Sequence, residues 1–241
     1  MKRNIVGTCA SIAVLALSLP CPANALDEII VTGSYRNEKD LPGSYLKRRG
    51  DHLLLAVTVV NDTREEAARK NEIYETLKNA VDASSKQSGM ELSVFDAQGN
   101  LIALTRDNYQ IQLSKGSRPD TSTTSIRIKM KIPENVSDAD QMTTDMLKFV
   151  RQIKAAGRTT LEPASSVEIT IVDPNQYRAQ IIQRFADDVA QVMKALGADY
   201  RLLVQGIDKP VKFSRVGSIE VALYIPYSYH IVPTSVNSIA N

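Results

Sequence analysis

Apolar and polar positions along this chain repeat with two different periods, and the points where the period changes divide it into elements. Ile29-Ile30-Val31-Thr32 is a short β-branched run closed by Gly33-Ser34, which predicts a strand followed by a turn. Residues 34–50 are polar and contain Pro42-Gly43, the composition of a loop. His52–Asn61 (HLLLAVTVVN) is nearly all apolar, as a strand buried on both faces would be. From Thr63 to Ser85 the period becomes helical. Asn61 or Asp62 is placed to cap this helix, and Glu65 and Glu66 fall in its first turn, where the helix dipole favours anions. Glu65–Arg69 and Glu66–Lys70 are spaced as ion pairs, while Tyr74, Leu77 and Val81 recur on another face.

The next stretch reads as a meander. Glu91–Phe95 and Leu101–Thr105 flank a turn at Gly99, Tyr109–Leu113 adds a strand, and KGSRPD (Lys115–Asp120) is a loop. Ser125–Ile132 alternates strictly, with Ile126, Ile128, Met130 and Ile132 on one face and Arg127, Lys129 and Lys131 on the solvent side. Pro133 ends it, and Ser137 with Asp140 resembles a capping box for a helix reaching Gly157. Met142, Met146, Phe149 and Ile153 form its stripe, so the methionines read as core fillers rather than metal ligands. After a strand at Val167–Val172, Asp173-Pro174 opens a third helix running to Gly197. It has the clearest stripe in the chain: Tyr177, Ile181, Phe185, Val189, Val192 and Leu196. Leu202–Gln205, Val211–Phe213 and a long Ser218–Ile231 complete the strands, with Pro226 marking an edge or bulge in the last. Neighbouring strands separated by three amphipathic helices predict an α+β fold with largely antiparallel sheets. The strand–helix–strand units at 52–95 and 167–205 suggest two subdomains.

The first 25 residues change this picture. Lys2 and Arg3 precede the apolar run Ile12–Leu19, and Ala23-Asn24-Ala25 is the small-x-small pattern of a signal-peptide cleavage site, so Leu26 is expected to begin the mature chain. The apolar run is far shorter than the roughly 20 residues that span a bilayer, and no integral span is expected after cleavage. Pro20 before Cys21 does not suit a lipid-attachment box. Of the 241 residues, 29 are basic and 27 acidic, and Lys2 and Arg3 account for the whole excess. A mature chain without net charge, with aromatics at only 5% and no tryptophan, is a poor ligand for nucleic acid. Both cysteines, Cys9 and Cys21, also lie in the leader, which removes disulfides, thiolate sites and cysteine nucleophiles from the mature protein. The organisation expected is a signal peptide (1–25), an N-terminal strand and polar loop (26–50), an α+β domain (51–235) and a tail (236–241).

Catalytic signatures are missing. There is no HExxH, GxSxG, P-loop or GxGxxG, and His52 and His230 read as strand-end residues without an acidic cluster. Asp187-Asp188 beside Arg184 reads as a surface ion pair, and the Lys47-Arg48-Arg49 cluster as solvated rather than headgroup-binding. The sequons Asn61-Asp62-Thr63 and Asn135-Val136-Ser137 coincide with helix starts, where capping explains them. A protein without enzymatic activity, cofactor or metal is therefore expected.

The residues carry two resemblances. Leu26–Ser34 (LDEIIVTGS) resembles the TonB box of outer-membrane receptors. That resemblance implies a partner-binding strand at Glu28, Ile29, Ile30, Val31 and Thr32, although the remaining chain is too short for a 22-stranded barrel. Over most of its length the chain resembles the SIMPL family of bacterial envelope proteins. The matching features are IIVTG at Ile29–Gly33, VTVVNDTREEAARKNEIYETLKNA at Val57–Ala80, a helix ending in Ala195-Leu196-Gly197, and strands like Tyr200–Gly206 and Ile219–Tyr229. The resemblance implies a periplasmic or outer-membrane-associated α+β protein, sometimes oligomeric, with no established catalysis. The expected function is thus self-assembly or partner binding in the envelope, with a second copy as the first partner. The alternative is a TonB-linked accessory. The tyrosines Tyr224, Tyr227 and Tyr229 of the last strand are the expected self-association surface.

Overall fold

The computed structural model describes residues 28–31 and 35–235; the cleavage positions Ala23, Ala25 and Leu26, and Thr32 of the first strand, lie outside them. The described elements are strands β1 (Glu28–Val31), β2 (Leu46–Arg49) and β3 (His52–Asn61), helix α1 (Glu66–Ser84), then β4 (Met90–Phe95), β5 (Leu101–Ala103), β6 (Ser114–Lys115) and β7 (Ser122–Lys131). After these come helix α2 (Asp140–Gln152), β8 (Thr160–Val172), α3 (Arg178–Leu196), β9 (Tyr200–Gln205), β10 (Lys212–Arg215), β11 (Glu220–Tyr224) and β12 (Ser228–Pro233). Every strand pairing is antiparallel, so the fold is α+β as the element order predicts.

The largest sheet runs β1-β8-β3-β7-β4-β5, with β6 also on β7, and curls into a half-barrel. The apolar run of β3 suits its central place, with partners on both sides and one face wholly in the core; on the other face Leu54 is buried, whereas Thr58 is exposed. Leu53, Leu55, Val57 and Val59 face one way with Ile126, Ile128, Ile169 and Ile171. Ile73, Leu77 and Ala80 of α1 and Met142, Met146, Phe149 and Val150 of α2 close over them. A three-stranded sheet, β10-β11-β2, adds Val221 and Leu223 to the same core, while β9 and β12 form a separate two-stranded ribbon.

Loop 153–159 is fastened to α1 by a polar hub. The Glu72 carboxylate accepts from Asn61 Nδ2 (2.6 Å), Thr63 Oγ1 (2.8 Å) and the Arg158 amide (2.9 Å), and these bonds hold its carboxyl below the usual range. Asn61 is thus a hub member, while Glu65 caps α1 through the Ala67 and Ala68 amides. Arg69 donates to backbone carbonyls, so the expected Glu65–Arg69 pair does not form.

Several boundaries differ from those the pattern predicts. The helix expected to reach Gly157 ends at Gln152, because Ile153 is extended, and β8 starts seven residues earlier than Val167. Ala139, with no side-chain bond, stands at the N-cap of α2 in place of Ser137. Tyr109–Leu113 is not a strand. The long C-terminal strand is broken after Tyr224: Pro226, without an N–H to donate, separates β11 from β12, and the two join different sheets. Within the stretch expected to be all loop, Leu46–Arg49 forms β2 on β11. Its basic cluster is consumed internally. Lys47 pairs with Glu220 (3.1 Å), Arg48 pairs with Asp51 (2.8 Å) and lies over the Tyr177 ring, and Arg49 donates to the carbonyls of Pro133 and Glu134.

Candidate functional site

Two places gather functional side chains. The first lies on the half-barrel face away from α1 and α2. Glu28 on β1 receives Lys129 Nζ (2.6 Å) and the Thr170 hydroxyl (2.6 Å), and His52 Nδ1 stands 3.2 Å from both Glu28 Oε1 and Thr170 Oγ1. β1 and β7 are three strand spacings apart, roughly 14 Å on a flat sheet. Their side chains meet only because the sheet curls, so this polar face is the concave one. Of the row expected to face solvent, Lys131 is exposed, but the other two are covered: the Lys129 side chain is 14% exposed, and Arg127 lies over Phe95 and 3.8 Å from Glu168.

Burial would raise the Glu28 carboxyl, but bonds from His52, Lys129 and Thr170 outweigh it and lower it from 4.5 to about 2. A carboxylate held that low, with three partners, is a weak proton acceptor at neutral pH. What the cluster does is hold the edge strand β1 against β8 and β7. His52 therefore has the acidic companion that its sequence neighbourhood does not reveal, since Glu28 is 24 residues away and reaches it through the curl.

The second place is a groove of about 460 Å³ between α3, the 42–44 loop and the ribbon. Of the six stripe residues expected on the third helix, Ile181 and Phe185 are buried, whereas Val189, Val192 and Leu196 are only half-buried. Facing them, Tyr229 (47%), Ile231 (41%) and Tyr200 (41%) remain exposed. Register puts these three with Leu202 and Val204 on one face of the ribbon. The floor is polar. Tyr227 OH donates to Ser44 Oγ (3.1 Å), the Ser44 amide donates to Tyr227 OH (3.2 Å), and Ser44 Oγ donates to Asp188. Phe185 packs on the Tyr227 ring at 4.4 Å, and Tyr229 stacks beyond it. Asp188 is thus occupied by Ser44 and Asp187 by Gln183, in place of the expected ion pair with Arg184, which donates to the Tyr45 carbonyl. The trio ties the 42–44 loop to α3 and to the segment before β12.

The strand Glu28, Ile29, Ile30, Val31 singled out by its TonB-box resemblance is the edge strand of the half-barrel, paired residue for residue with Val172–Ile169. It belongs to a different sheet from Tyr224 of β11 and Tyr229 of β12, and Tyr227 lies between those two strands. Tyr224 ends β11, and its hydroxyl accepts from Arg36. His230 is exposed on β12, away from His52. Among the described residues no group of three or more His, Cys, Asp or Glu could hold a metal ion, and no helix is long and apolar enough to cross a membrane. Comparison with protein-family models, with curated proteins and with solved structures gives no match.

Proposed function

We propose that this is an exported cell-envelope protein without catalytic activity that works by assembling with further copies of itself through α3 and the β9–β12 ribbon. The observation that carries the assembly reading is the unclosed groove, where the second half of a strongly amphipathic helix and the aromatic face of a ribbon leave each other half-exposed. Both outer edges of that ribbon lack a strand partner among the described residues. Apolar faces and open edges together mark association surfaces, and a symmetric pairing satisfies both at once. A second copy also suits a chain whose leader-free part has no net charge to select an oppositely charged partner. Export rests on the leader pattern at residues 1–25, and the finer description of the fold as SIMPL-like rests on element order.

Light scattering on the mature protein at tens of micromolar tests assembly. A dimer or larger species is expected, and Ile231→Lys with Tyr229→Lys should return it to one chain without lowering its melting temperature. A monodisperse monomer of the unaltered protein overturns the reading. Export as a soluble periplasmic protein is tested by mass spectrometry of a periplasmic fraction, where Leu26 should be the first residue; an intact leader refutes export, and a lipid on Cys21 refutes the soluble form. A second reading, a TonB-linked accessory, requires β1 to leave β8 or to accept a partner strand on its outer edge. A pull-down with the TonB C-terminal domain, with and without residues 26–34, decides it: binding lost on deletion supports it, and no binding in either form removes it.

A further inference from the structure

A cleft of about 770 Å³ separates the start of α1 from the β6–β7 hairpin, and it shares no lining residue with the ribbon groove. Its walls carry four basic side chains, Arg69, Lys70, Lys115 and Arg118, against two acidic ones, Glu66 and Asp120. The hairpin is a shaped turn. Lys115 pairs with Ser122 in register, the Gly116 amide donates to the Thr121 carbonyl at 2.8 Å, and Asp120 holds a left-handed φ of 56°. Opposed residues of a ladder project to one face, and Ser122 Oγ accepts from Arg69 Nε at 3.1 Å. Lys115 therefore leaves the hairpin on the Arg69 side.

Arg69 is the informative residue. It is 7% exposed, yet its hydrogen-bond partners are all neutral: the Ser122 hydroxyl and the carbonyls of Thr63 (2.7 Å) and Arg64 (2.9 Å). No carboxylate of a described residue lies within ion-pair distance of Arg69, Lys70, Lys115 or Arg118. Burying a cation without a counter-charge is unfavourable, and three further cations around the same space add repulsion. The helix end itself is not the attraction, because Glu65 already occupies the Ala67 and Ala68 amides.

We infer that this cleft binds a phosphomonoester. The two surplus positive charges of the lining match a phosphate dianion, the Arg118 guanidinium offers its oxygens paired donors while Arg69 has Nη2 left to give, and the hydroxyls of Ser114, Ser117 and Ser122 line the same space. The volume exceeds that of a phosphate, and Tyr74 and Leu113 give the remainder an apolar wall, so the phosphate carries an organic group. A soluble phosphate ester and a lipid headgroup share this chemistry.

Two arms separate them. In one, the full mature chain is titrated with glycerol 3-phosphate and followed by amide chemical shifts, with glycerol as the uncharged control. In the other, it is sedimented with phosphatidylcholine vesicles with and without phosphatidic acid. Saturable binding of glycerol 3-phosphate identifies a soluble ester, and binding to phosphatidic acid vesicles alone identifies a headgroup. Lys115→Glu with Arg118→Glu should weaken whichever is seen by about tenfold or more while leaving the ligand-free melting temperature unchanged. Should that pair disturb folding, Arg118→Gln, a single exposed change, must still weaken binding several-fold. No saturable binding in either arm, binding of glycerol as strong as of its phosphate, or variants that bind like the unaltered protein overturn the inference.

Discussion

The half-barrel and the α3–ribbon unit are built from equally regular sequence and finished to different degrees. In the half-barrel both helices close their stripes, β3 lies between two partners, and the edge strand β1 is latched through Glu28 to three other strands. In the α3–ribbon unit the helix closes its stripe only as far as Phe185, and β9 and β12 have one partner each. A two-stranded ribbon is marginal by itself in water. The first region therefore carries stability, and the second is the less tightly held of the two.

The comparison breaks most sharply in paired core truncations. Phe149 is 1% exposed beneath the half-barrel, and Phe149→Ala should cost about 3–5 kcal/mol in chemical denaturation. Val192→Ala, on the unfilled half of α3, should cost under about 1 kcal/mol, because the deleted methyl groups are already half in water. Equal losses would refute the division into a finished and an unfinished region.

The Glu28 latch comes next. Glu28→Gln leaves Lys129 nearly buried without its counter-charge and should cost about 2–4 kcal/mol. Lys129→Met in the same chain should recover part of that loss, since it removes the stranded charge. The latch also predicts an acid limb. The Glu28 carboxyl is depressed in the folded chain, so its contribution is complete above its ordinary value of 4.5 and is lost as pH falls toward about 2. Over that window the unaltered protein should lose up to about 3 kcal/mol that Glu28→Gln does not lose. Parallel pH profiles for the two proteins would remove the latch.

Legibility in the sequence divides along the same line between regions. The apolar run of β3 and the stripes of α1 and α2 report their own burial, because period and hydrophobicity are local. Leu46–Arg49 reads as loop because a strand whose charges find Glu220, Tyr177 and two carbonyls, with only Asp51 nearby in sequence, looks solvated until those distant partners are known. The Glu28–His52–Lys129 cluster joins residues up to 101 positions apart through the curl of a sheet, and no local signal encodes it. In α3 the stripe is plain, but periodicity identifies a face without saying what it meets. Pro226 signals a break in the last strand, but nothing near it signals that β12 joins a different sheet from β11.

The smallest effect comes from two glycines that resemble one another locally. Gly157 has φ 54° and Gly206 φ 82°, a region costly to side-chain-bearing residues, and in each the Cβ position is already occupied. A Cβ at 157 would fall 2.0 Å from the Glu72 carboxylate carbon, and one at 206 would fall 2.8 Å from the Pro226 carbonyl oxygen. Gly157→Ala should therefore dismantle the Glu72 hub, whose bonds tie β3, α1 and the loop before β8, and lower global stability by about 2 kcal/mol. Gly206→Ala strains only the connection between β9 and Pro226. If the ribbon opens on its own while the half-barrel stays closed, that strain moves a local equilibrium rather than the global one. Hydrogen exchange should then quicken several-fold at Leu202–Val204 and Tyr229–Ile231 in Gly206→Ala, while β3 amides and the denaturation midpoint stay within about 0.5 kcal/mol of the unaltered protein. A global loss as large as that of Gly157→Ala would mean that the ribbon folds and unfolds with the half-barrel, and that its half-exposed face belongs to one cooperative unit.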